Sequence, residues 1–229
     1  MSSQYERELR QVLAGVNKGV EAVIRSCTPE EKERMRLVLQ RPFLVVRAAG
    51  SGMEGTGDLL VLRGDMCFPI EVKSTKANKL YLSGRTKHQY DAMVNEGERC
   101  HLMPLYAHRL KGVRGDSWRI FRVETSNLTG RLRQLEKWIP PFPKTRNGSN
   151  YLNWEDGMPL NQLVALLCSK AGSEAATLAG LTARAGSLPA SSSLPNTSDN
   201  LPLPAPLTPV LRARTQTNVL AELARRRSS

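Results

Sequence analysis

The sequence contains few cysteines, no long hydrophobic run and no hydrophobic segment near its amino terminus. The four cysteines are widely separated and form no Cys-x-x-Cys pair, which argues against a zinc site or a disulfide framework. No stretch approaches the roughly 18 uninterrupted apolar residues that a membrane-spanning helix needs. The first eight residues, MSSQYERE, lack the apolar segment of a secretory signal. We therefore expect a soluble protein of the reducing cell interior.

Acidic residues are outnumbered by basic ones. The chain of 229 residues has 33 Lys and Arg against 21 Asp and Glu, which gives a formal net charge of +12. Residues 171–229 hold six Arg and three acidic residues, so +9 of this excess belongs to residues 1–170. An excess of this size indicates a polyanionic partner, either a nucleic acid or an anionic membrane surface.

Aromatic residues are absent after Trp154, and the composition changes soon afterwards. Residues 171–209 are Ala, Leu, Ser, Pro, Thr or Gly at 34 of 39 positions and include six of the fourteen prolines. Such a segment buries too little apolar surface to offset its chain entropy. We therefore predict a folded domain at residues 1–170 and a disordered tail at residues 171–229. The basic end of the tail, AELARRR, is either a frayed terminus or a short helix for a partner or for DNA.

Within residues 1–170, helical and strand-like patterns alternate in the way that is typical of a small α/β domain. Apolar spacing predicts a helix at Tyr5–Val16, and Thr28-Pro29 marks the start of a second helix. Phe43–Val46 is expected to be a short buried strand. The runs Asp58–Leu62 and Cys67–Lys73, separated by an Arg-Gly-Asp turn, predict a hairpin. The remaining pattern predicts a helix near Lys87–Glu96, strands at Met103–Ala107 and Trp118–Val123, an irregular segment at 124–150 and a closing helix at Leu160–Leu167.

The predicted hairpin carries residues that suit metal-assisted chemistry. Successive strand side chains point to opposite faces, so Ile70 and Val72 are expected to face the core while Glu71 and Lys73 project together from the other face. Asp58 begins the neighbouring strand, directly after a glycine-rich loop. Two carboxylates suit a hard cation such as magnesium, which takes oxygen ligands, polarises phosphoryl oxygens and lowers the pKa of a bound water. Lys73 would position that water and offset developing negative charge.

Segments on both sides of this hairpin carry a family resemblance. They are FLVVRAAGS (43–51), GDL (57–59), IEVKS (70–74), LY (80–81), PLYAHRLKGVRGDSWRIF (104–121) and WEDGMPL (154–160). Together they resemble the archaeal-type Holliday junction resolvases (Hjc family) of the PD-(D/E)XK nuclease superfamily over nearly all of residues 1–170. The resemblance implies a restriction-endonuclease-like core, with a central mixed β-sheet flanked by helices.

The same resemblance implies a function. It is that of a crossover junction endodeoxyribonuclease, a homodimer that binds four-way DNA junctions in recombination and repair and hydrolyses phosphodiesters symmetrically with Mg²⁺, or with Mn²⁺ as a substitute. A two-fold dimer presents two identical sites to a junction of matching symmetry. Such an enzyme would be cytoplasmic and nucleoid-associated, would not bind membranes, and would have a tail free to bind another repair or replication protein. Alternatives are a related nuclease for flaps, nicks or restriction-like cleavage, and a non-catalytic protein that binds branched DNA.

By resemblance, the metal ligands would be Asp58, Glu71, the backbone carbonyl of Val72 and a glutamate of the first helix. Glu6, in the sequence Glu-Arg-Glu-Leu, matches that glutamate, and Lys73 would be the catalytic lysine. We expect Glu6, Asp58, Glu71 and Lys73 to act together in catalysis.

The spacing between the first helix and the first strand departs from the family pattern. About forty residues separate Glu6 from Arg47, which is more than in short members of the family. Residues 28–41 would then be an inserted helix. Glu31 is the alternative metal-binding glutamate if this second helix is the equivalent one.

Further residues are expected to contact DNA. Ser51 matches a loop serine of the family that is treated as an active-site residue, and Arg47 matches an essential arginine. A serine in Gly-Ser-Gly is equally a plain flexible turn. Gln89 lies on the helix after the Glu-x-Lys strand, where some members of the family carry a glutamine or lysine, but it is expected to face solvent. The other expected phosphate contacts are Lys76, Arg85, Lys87, Lys111 and Arg114, with Lys79, Arg109 and Arg119 in the same two basic clusters.

Overall fold

A computed structural model describes the architecture of residues 3–48 and 55–169. The helices of these residues are α1 (Ser3–Leu13), α2 (Asn17–Ile24), α3 (Pro29–Gln40), α4 (Arg85–Cys100), α5 (Gly130–Leu135) and α6 (Leu160–Cys168). Their strands are β1 (Leu44–Arg47), β2 (Leu59–Arg63), β3 (Met66–Thr75), β4 (Lys79–Tyr81), β5 (Leu105–Leu110), β6 (Trp118–Arg122), β7 (Tyr151–Asn153) and β8 (Met158–Pro159). A turn of 3-10 helix, Trp154–Asp156, precedes β8.

A mixed six-stranded sheet forms the centre of the domain, in the order β1-β2-β3-β5-β6-β8. Strands β3 and β5 are parallel, and the other neighbours are antiparallel. The predicted hairpin is confirmed: β2 pairs with β3 from Leu59 opposite Ile70 to Arg63 opposite Met66. The predicted fold class, a mixed sheet flanked by helices, is therefore confirmed.

Each face of this sheet is covered by its own hydrophobic cluster. On one face, Ile70 and Val72 of β3 pack with apolar residues of α1, α3 and α6. On the other face, Tyr106 and Phe121 pack with Tyr90 of α4 and its neighbours. The predicted alternation along β3 therefore holds, and the face that carries Glu71 and Lys73 is covered by a helix rather than open to water.

A capping box fixes the start of helix α3. Thr28 Oγ1 accepts the Glu31 N–H at 3.3 Å, and the Glu31 carboxylate accepts the Thr28 N–H at 2.9 Å, so α3 begins where predicted.

The prediction of a buried first strand was wrong. Strand β1 is the edge strand next to β2 in the described sheet, and Leu44 and Val46 are 67% and 46% exposed, whereas Phe43, just before the strand, is buried.

Several short elements were not predicted. The first predicted helix corresponds to α1, and a second helix, α2, follows it after a turn in which Gly15 has a left-handed φ of 65°. Helix α5 lies within the segment 124–150 that was expected to be irregular. Strands β4 and β7 form a separate two-stranded sheet. Elements of three to six residues contain too few positions for a hydrophobic period to show.

Parts of two sequence-based predictions lie outside the described residues. Ser51 and most of the glycine-rich loop before Asp58 fall in the gap at 49–54, and the predicted tail at 171–229 follows the last described residue. All described residues belong to one unit of the chain, Met1–Ser187. Within the two described ranges, no helix has both the length and the apolar character needed to cross a membrane.

Candidate active site

The hairpin places Asp58 next to β3, the strand that carries Glu71 and Lys73. The Asp58 N–H donates to the Ile70 carbonyl at 2.9 Å, and its Oδ2 accepts the Val72 N–H at 2.8 Å. Gly57 makes this approach possible, because its φ is +68° and a Cβ there would lie 2.6 Å from the Ile70 carbonyl oxygen. Asp58 is thus held beside β3 by one contact of its backbone and one of its carboxylate.

Glu71 and Lys73 leave β3 on the same face and contact each other. Lys73 Nζ donates to Glu71 Oε1 at 2.7 Å and to Gln89 Oε1 at 2.8 Å. Glu71 is 6% exposed. The expectation that Gln89 faces solvent was wrong, because α4 lies across this face of the sheet and turns Gln89 toward the lysine. Lys73 is therefore held from two sides.

The carboxylates of the site influence one another. Burial, and next the negative charge of Glu71, raise the pKa of Asp58 to about 6; Glu6 adds to the rise, while the Val72 N–H and Lys73 oppose it. Three acidic residues and one lysine from α1, β3 and the start of β2 are therefore electrostatically coupled. The arrangement concentrates negative charge in a partly desolvated place.

Of the two candidate helix glutamates, the structure brings Glu6 to the hairpin. Its side chain is 6% exposed, and Oε2 lies 3.4 Å from Arg47 Nη2. That oxygen is buried and has no hydrogen-bond donor among the described residues. Glu6 and Arg47 line a small cleft with Arg7, Arg10 and Leu59. Glu31, in contrast, is engaged in the capping box of α3.

The donor set fits a hard divalent cation. As the side chains stand, no group of three or more His, Cys, Asp or Glu residues in the described ranges is close enough to hold a metal. Asp58, Glu71 and Glu6 nevertheless offer carboxylate oxygens around one buried negative region. Both backbone groups of a strand residue face the same neighbouring strand, so the Val72 carbonyl faces the Asp58 side, as its N–H does. Oxygen-only donors of this kind suit magnesium rather than zinc.

The candidate phosphate contacts differ in whether their side chains are paired with other residues. Lys76, Arg85 and Arg114 are exposed. Lys87 is exposed and paired with Asp91 at 2.7 Å. Lys111 lies 5.5 Å from the ring of Tyr5. These side chains remain candidates, together with Arg47.

Two members of the basic clusters have other partners. Arg109 is paired with Glu8 at 2.8 Å. Arg119 donates to the backbone carbonyls of Asp116 and Trp118 and stacks on the Trp154 ring at 3.7 Å. Both guanidinium groups are thus engaged within the domain, and a phosphate contact by either of them stays a prediction.

Two residues that sequence reasoning did not assign lie beside the site. Tyr106 and His108 of β5 are opposite Glu71 and Lys73 in the parallel register. The Tyr106 hydroxyl is buried without a hydrogen-bond partner in the described part of the chain, and burial, then the charge of Glu71, raise its pKa. The alternation in the sequence LYAHRL places both residues on one strand face. Which strand they oppose depends on β5 pairing in parallel with β3, which the sequence does not reveal.

His108 makes the stability of the domain sensitive to acid. It is fully buried, with Nε2 2.8 Å from Thr75 Oγ1, and burial lowers its pKa from 6.5 to about 4. Protonation therefore favours the unfolded chain. The contribution of neutral His108 is complete above pH 6.5 and is lost as the pH falls toward 4, which amounts to about 3 kcal/mol.

We expect His108→Gln to remove this pH dependence. Glutamine retains a polar atom for Thr75 and does not titrate. Urea unfolding at pH 7.5 and pH 4.5 would show a smaller loss of stability in the variant than in the wild-type chain, and groups that titrate in both proteins cancel in the comparison. Equal losses in the two proteins would contradict a neutral buried His108.

Comparison with protein-family models finds a match over part of the chain. Residues 24–134 match the family model of the archaeal Holliday junction resolvases (Hjc), which confirms the resemblance seen in the sequence motifs. The matched segment contains Asp58, Glu71, Lys73 and the alternative glutamate Glu31, and it begins after Glu6. No curated protein matches the chain.

Several solved structures are also similar to the chain. One of them is that of Hjc from Archaeoglobus fulgidus, a Holliday junction resolvase from an archaeal hyperthermophile. The sequences are 19% identical, the TM-score is 0.39, and the similarity covers 58% of this chain and 96% of that chain.

Proposed function

Because residues 24–134 match the archaeal Holliday junction resolvase family, we propose that this chain is an endonuclease that cleaves four-way DNA junctions. The observation that carries the proposal is the set Asp58, Glu71 and Lys73, joined at one end of a hairpin by the contacts described above. A family match over a degenerate site would support DNA binding alone. Here the acidic pair and the lysine occur together within the matched segment.

In the proposed site, Asp58 and Glu71 would hold a magnesium ion with the Val72 carbonyl, and Glu6 would contact it directly or through water. The ion would supply Lewis-acid polarisation of the phosphoryl oxygens and a water of lowered pKa. The rise in the pKa of Asp58 supports this role, because, besides burial, the negative charges of Glu71 and Glu6 contribute to it and a cation would compensate them.

Lys73 would stabilise charge that develops on the phosphate during attack. Its ammonium lies between Glu71 and Gln89, at 2.7 Å and 2.8 Å. These contacts fix its position before substrate binds, so that little reorganisation is needed during the reaction. Gln89 is a positioning residue in this scheme, since it acts through the lysine.

Symmetric cleavage would need two copies of this site. We propose a homodimer with a two-fold axis, because such a dimer offers two identical sites to a four-way junction. Exposed Lys76, Arg85 and Arg114 would contact phosphates and orient the branched substrate without reading base sequence. The net charge of +12 supports this salt-dependent binding. A role in recombination and repair follows from the substrate.

The proposal predicts a specific cleavage pattern. The purified full-length chain would be incubated with a synthetic four-way junction and with a linear duplex of equal length, each with magnesium and with EDTA. We expect paired nicks at symmetric positions of the junction only, and none with EDTA. Cleavage of both DNAs would indicate a general nuclease. Tight binding without cleavage would indicate a non-catalytic branched-DNA-binding protein.

A further inference from the structure

The two-stranded sheet carries a pair of tyrosines on its outer face. Strands β4 and β7 are antiparallel, with Lys79 opposite Asn153 and Tyr81 opposite Tyr151. Opposite residues, and residues two apart, share a face of a sheet. These four side chains therefore form one surface, here called the tyrosine face. Strand β7 lies outside the segment that matches the family model.

The opposite face of this sheet is anchored in the domain. Leu152 is fully buried and Leu80 is partly buried, and both belong to the hydrophobic cluster that contains Tyr90, Tyr106 and Phe142. The same cluster packs beneath α4 and covers the sheet face that carries Glu71. The tyrosine face is thus attached rigidly to the core beside the candidate active site.

The tyrosine rings present an aromatic surface to the outside. Tyr81 is 57% exposed and is among the most exposed large hydrophobic residues of the described chain. The rings of Tyr81 and Tyr151 are stacked, with centroids 5.5 Å apart and an interplanar angle of 26°. A cross-strand aromatic pair stabilises a short ribbon, yet this pair leaves more than half of Tyr81 available for a further planar group.

Exposed basic residues flank the two tyrosine strands in the sequence. Lys76, Lys79 and Arg85 are exposed before, within and after β4, and Arg146 is exposed before β7. The acidic groups at the other end of the sheet are engaged: Glu155 accepts from Asn78 and Asp156 accepts from Asn153. Lys144 is paired with Glu124. The combination of aromatic rings with cationic side chains is the chemistry that binds unpaired nucleotides.

The tyrosine face is separated from the candidate active site by only a few residues of chain. Tyr81 follows Lys73 by eight residues and precedes Gln89 by eight, and Lys73 and Gln89 are in contact. A chain of eight residues spans at most about 28 Å when fully extended. The tyrosine face therefore lies within roughly one helical turn of B-DNA, about 34 Å, from the catalytic lysine.

We propose that the tyrosine face is a stacking site for an unpaired DNA base, with Tyr81 as the ring that meets the base and the neighbouring basic residues holding its phosphates. The proposal rests on the proposed function only in taking DNA as the substrate. It adds a means of recognising the branch point, where bases lose their stacking neighbours, to recognition by phosphate contacts. A fully paired arm offers no free base face and would not use this surface.

The test measures binding without cleavage. A fluorescent single-stranded dT oligonucleotide and a duplex of equal length would be titrated with the full chain in EDTA, using anisotropy. We expect Tyr81→Leu to weaken single-strand binding roughly 5-fold to 100-fold, because stacking on one aromatic ring is lost. Tyr81→Phe retains the ring and should retain wild-type affinity. Duplex binding should change less than about twofold in both variants, because phosphate contacts are intact.

Leucine keeps an apolar side chain at position 81, and thermal unfolding of both variants would verify that the domain is intact. Tyr151→Leu provides a second variant, and it should weaken single-strand binding in the same direction. The inference is overturned if Tyr81→Leu binds the single strand as tightly as wild type, or if it loses duplex and single-strand affinity equally. Junction cleavage is not measured here, so the stacking site and the nuclease function stand or fail separately.

Discussion

Lys73→Ala should abolish junction cleavage and leave junction binding nearly intact. The ammonium group lies between Glu71 and Gln89, at the place where a scissile phosphate would meet the acidic pair. Removing a preorganised donor of this kind reduces the rate of the chemical step by roughly 10²-fold to 10³-fold. Binding depends on many dispersed phosphate contacts, so the affinity for the junction should stay within about threefold. Single-turnover cleavage and a gel-shift titration would measure the two quantities.

Alanine at position 73 also leaves the buried Glu71 without its cationic partner, so folding needs its own control. Lys73→Gln retains an N–H that donates to Glu71 but has no charge, and it should be equally inactive. Lys137→Ala, at an exposed lysine outside the site, should be fully active. Asp58→Asn and Glu71→Gln are expected to follow Lys73→Ala. Loss of binding in parallel with cleavage, in variants that are folded by circular dichroism, would contradict a catalytic role for these three residues.

Gly57→Ala should disrupt both the hairpin and the site. Gly57 has a φ of +68°, and a Cβ at this position would lie 2.6 Å from the Ile70 carbonyl oxygen and 3.1 Å from the Glu71 nitrogen. These are backbone atoms of β3, so no side-chain rotation can relieve the contact. We expect a loss of about 3 kcal/mol or more in the free energy of unfolding, together with displacement of Asp58 and loss of cleavage.

Gly64→Ala is the matched control for this substitution. Gly64 lies at the other end of β2 with a φ of +61°, and a Cβ there would have no atom within 4 Å. The change carries only the conformational cost of a left-handed residue, about 1 kcal/mol. Urea unfolding would compare the two variants. Similar losses would show that backbone conformation, and not the close approach to β3, determines the effect at Gly57.

The sequence predicted those parts of the site that depend on residues close together in the chain. The Arg-Gly-Asp turn between two apolar runs identified the hairpin, and strand alternation separated Glu71 and Lys73 from Ile70 and Val72. Both inferences depend on local geometry alone, since the two-residue period and the turn chemistry act over a short range. The structure reproduces both.

The parts that were missed depend on which elements become neighbours. Gln89 was assigned to solvent because nothing in its helix indicates that α4 crosses the sheet over Lys73. Tyr106 and His108 oppose the catalytic strand only through the parallel pairing of β3 with β5. Arg119 is basic and close in sequence to other basic residues, yet it stacks on Trp154. Register and layer packing are properties of the whole chain, so no local pattern predicted them.

The parallel pairing of β3 with β5 has a consequence for the order of events during synthesis. In that register Lys73 lies opposite His108, so the strand carrying Glu71 and Lys73 gains its central neighbour only when residues far downstream have left the ribosome. Gln89, which accepts a hydrogen bond from Lys73, also lies C-terminal to the strand that carries Glu71 and Lys73. Non-local pairings of this kind form late in folding. A chain that ends before β5 therefore contains Asp58, Glu71 and Lys73, and still lacks the strand against which the proposed site is assembled.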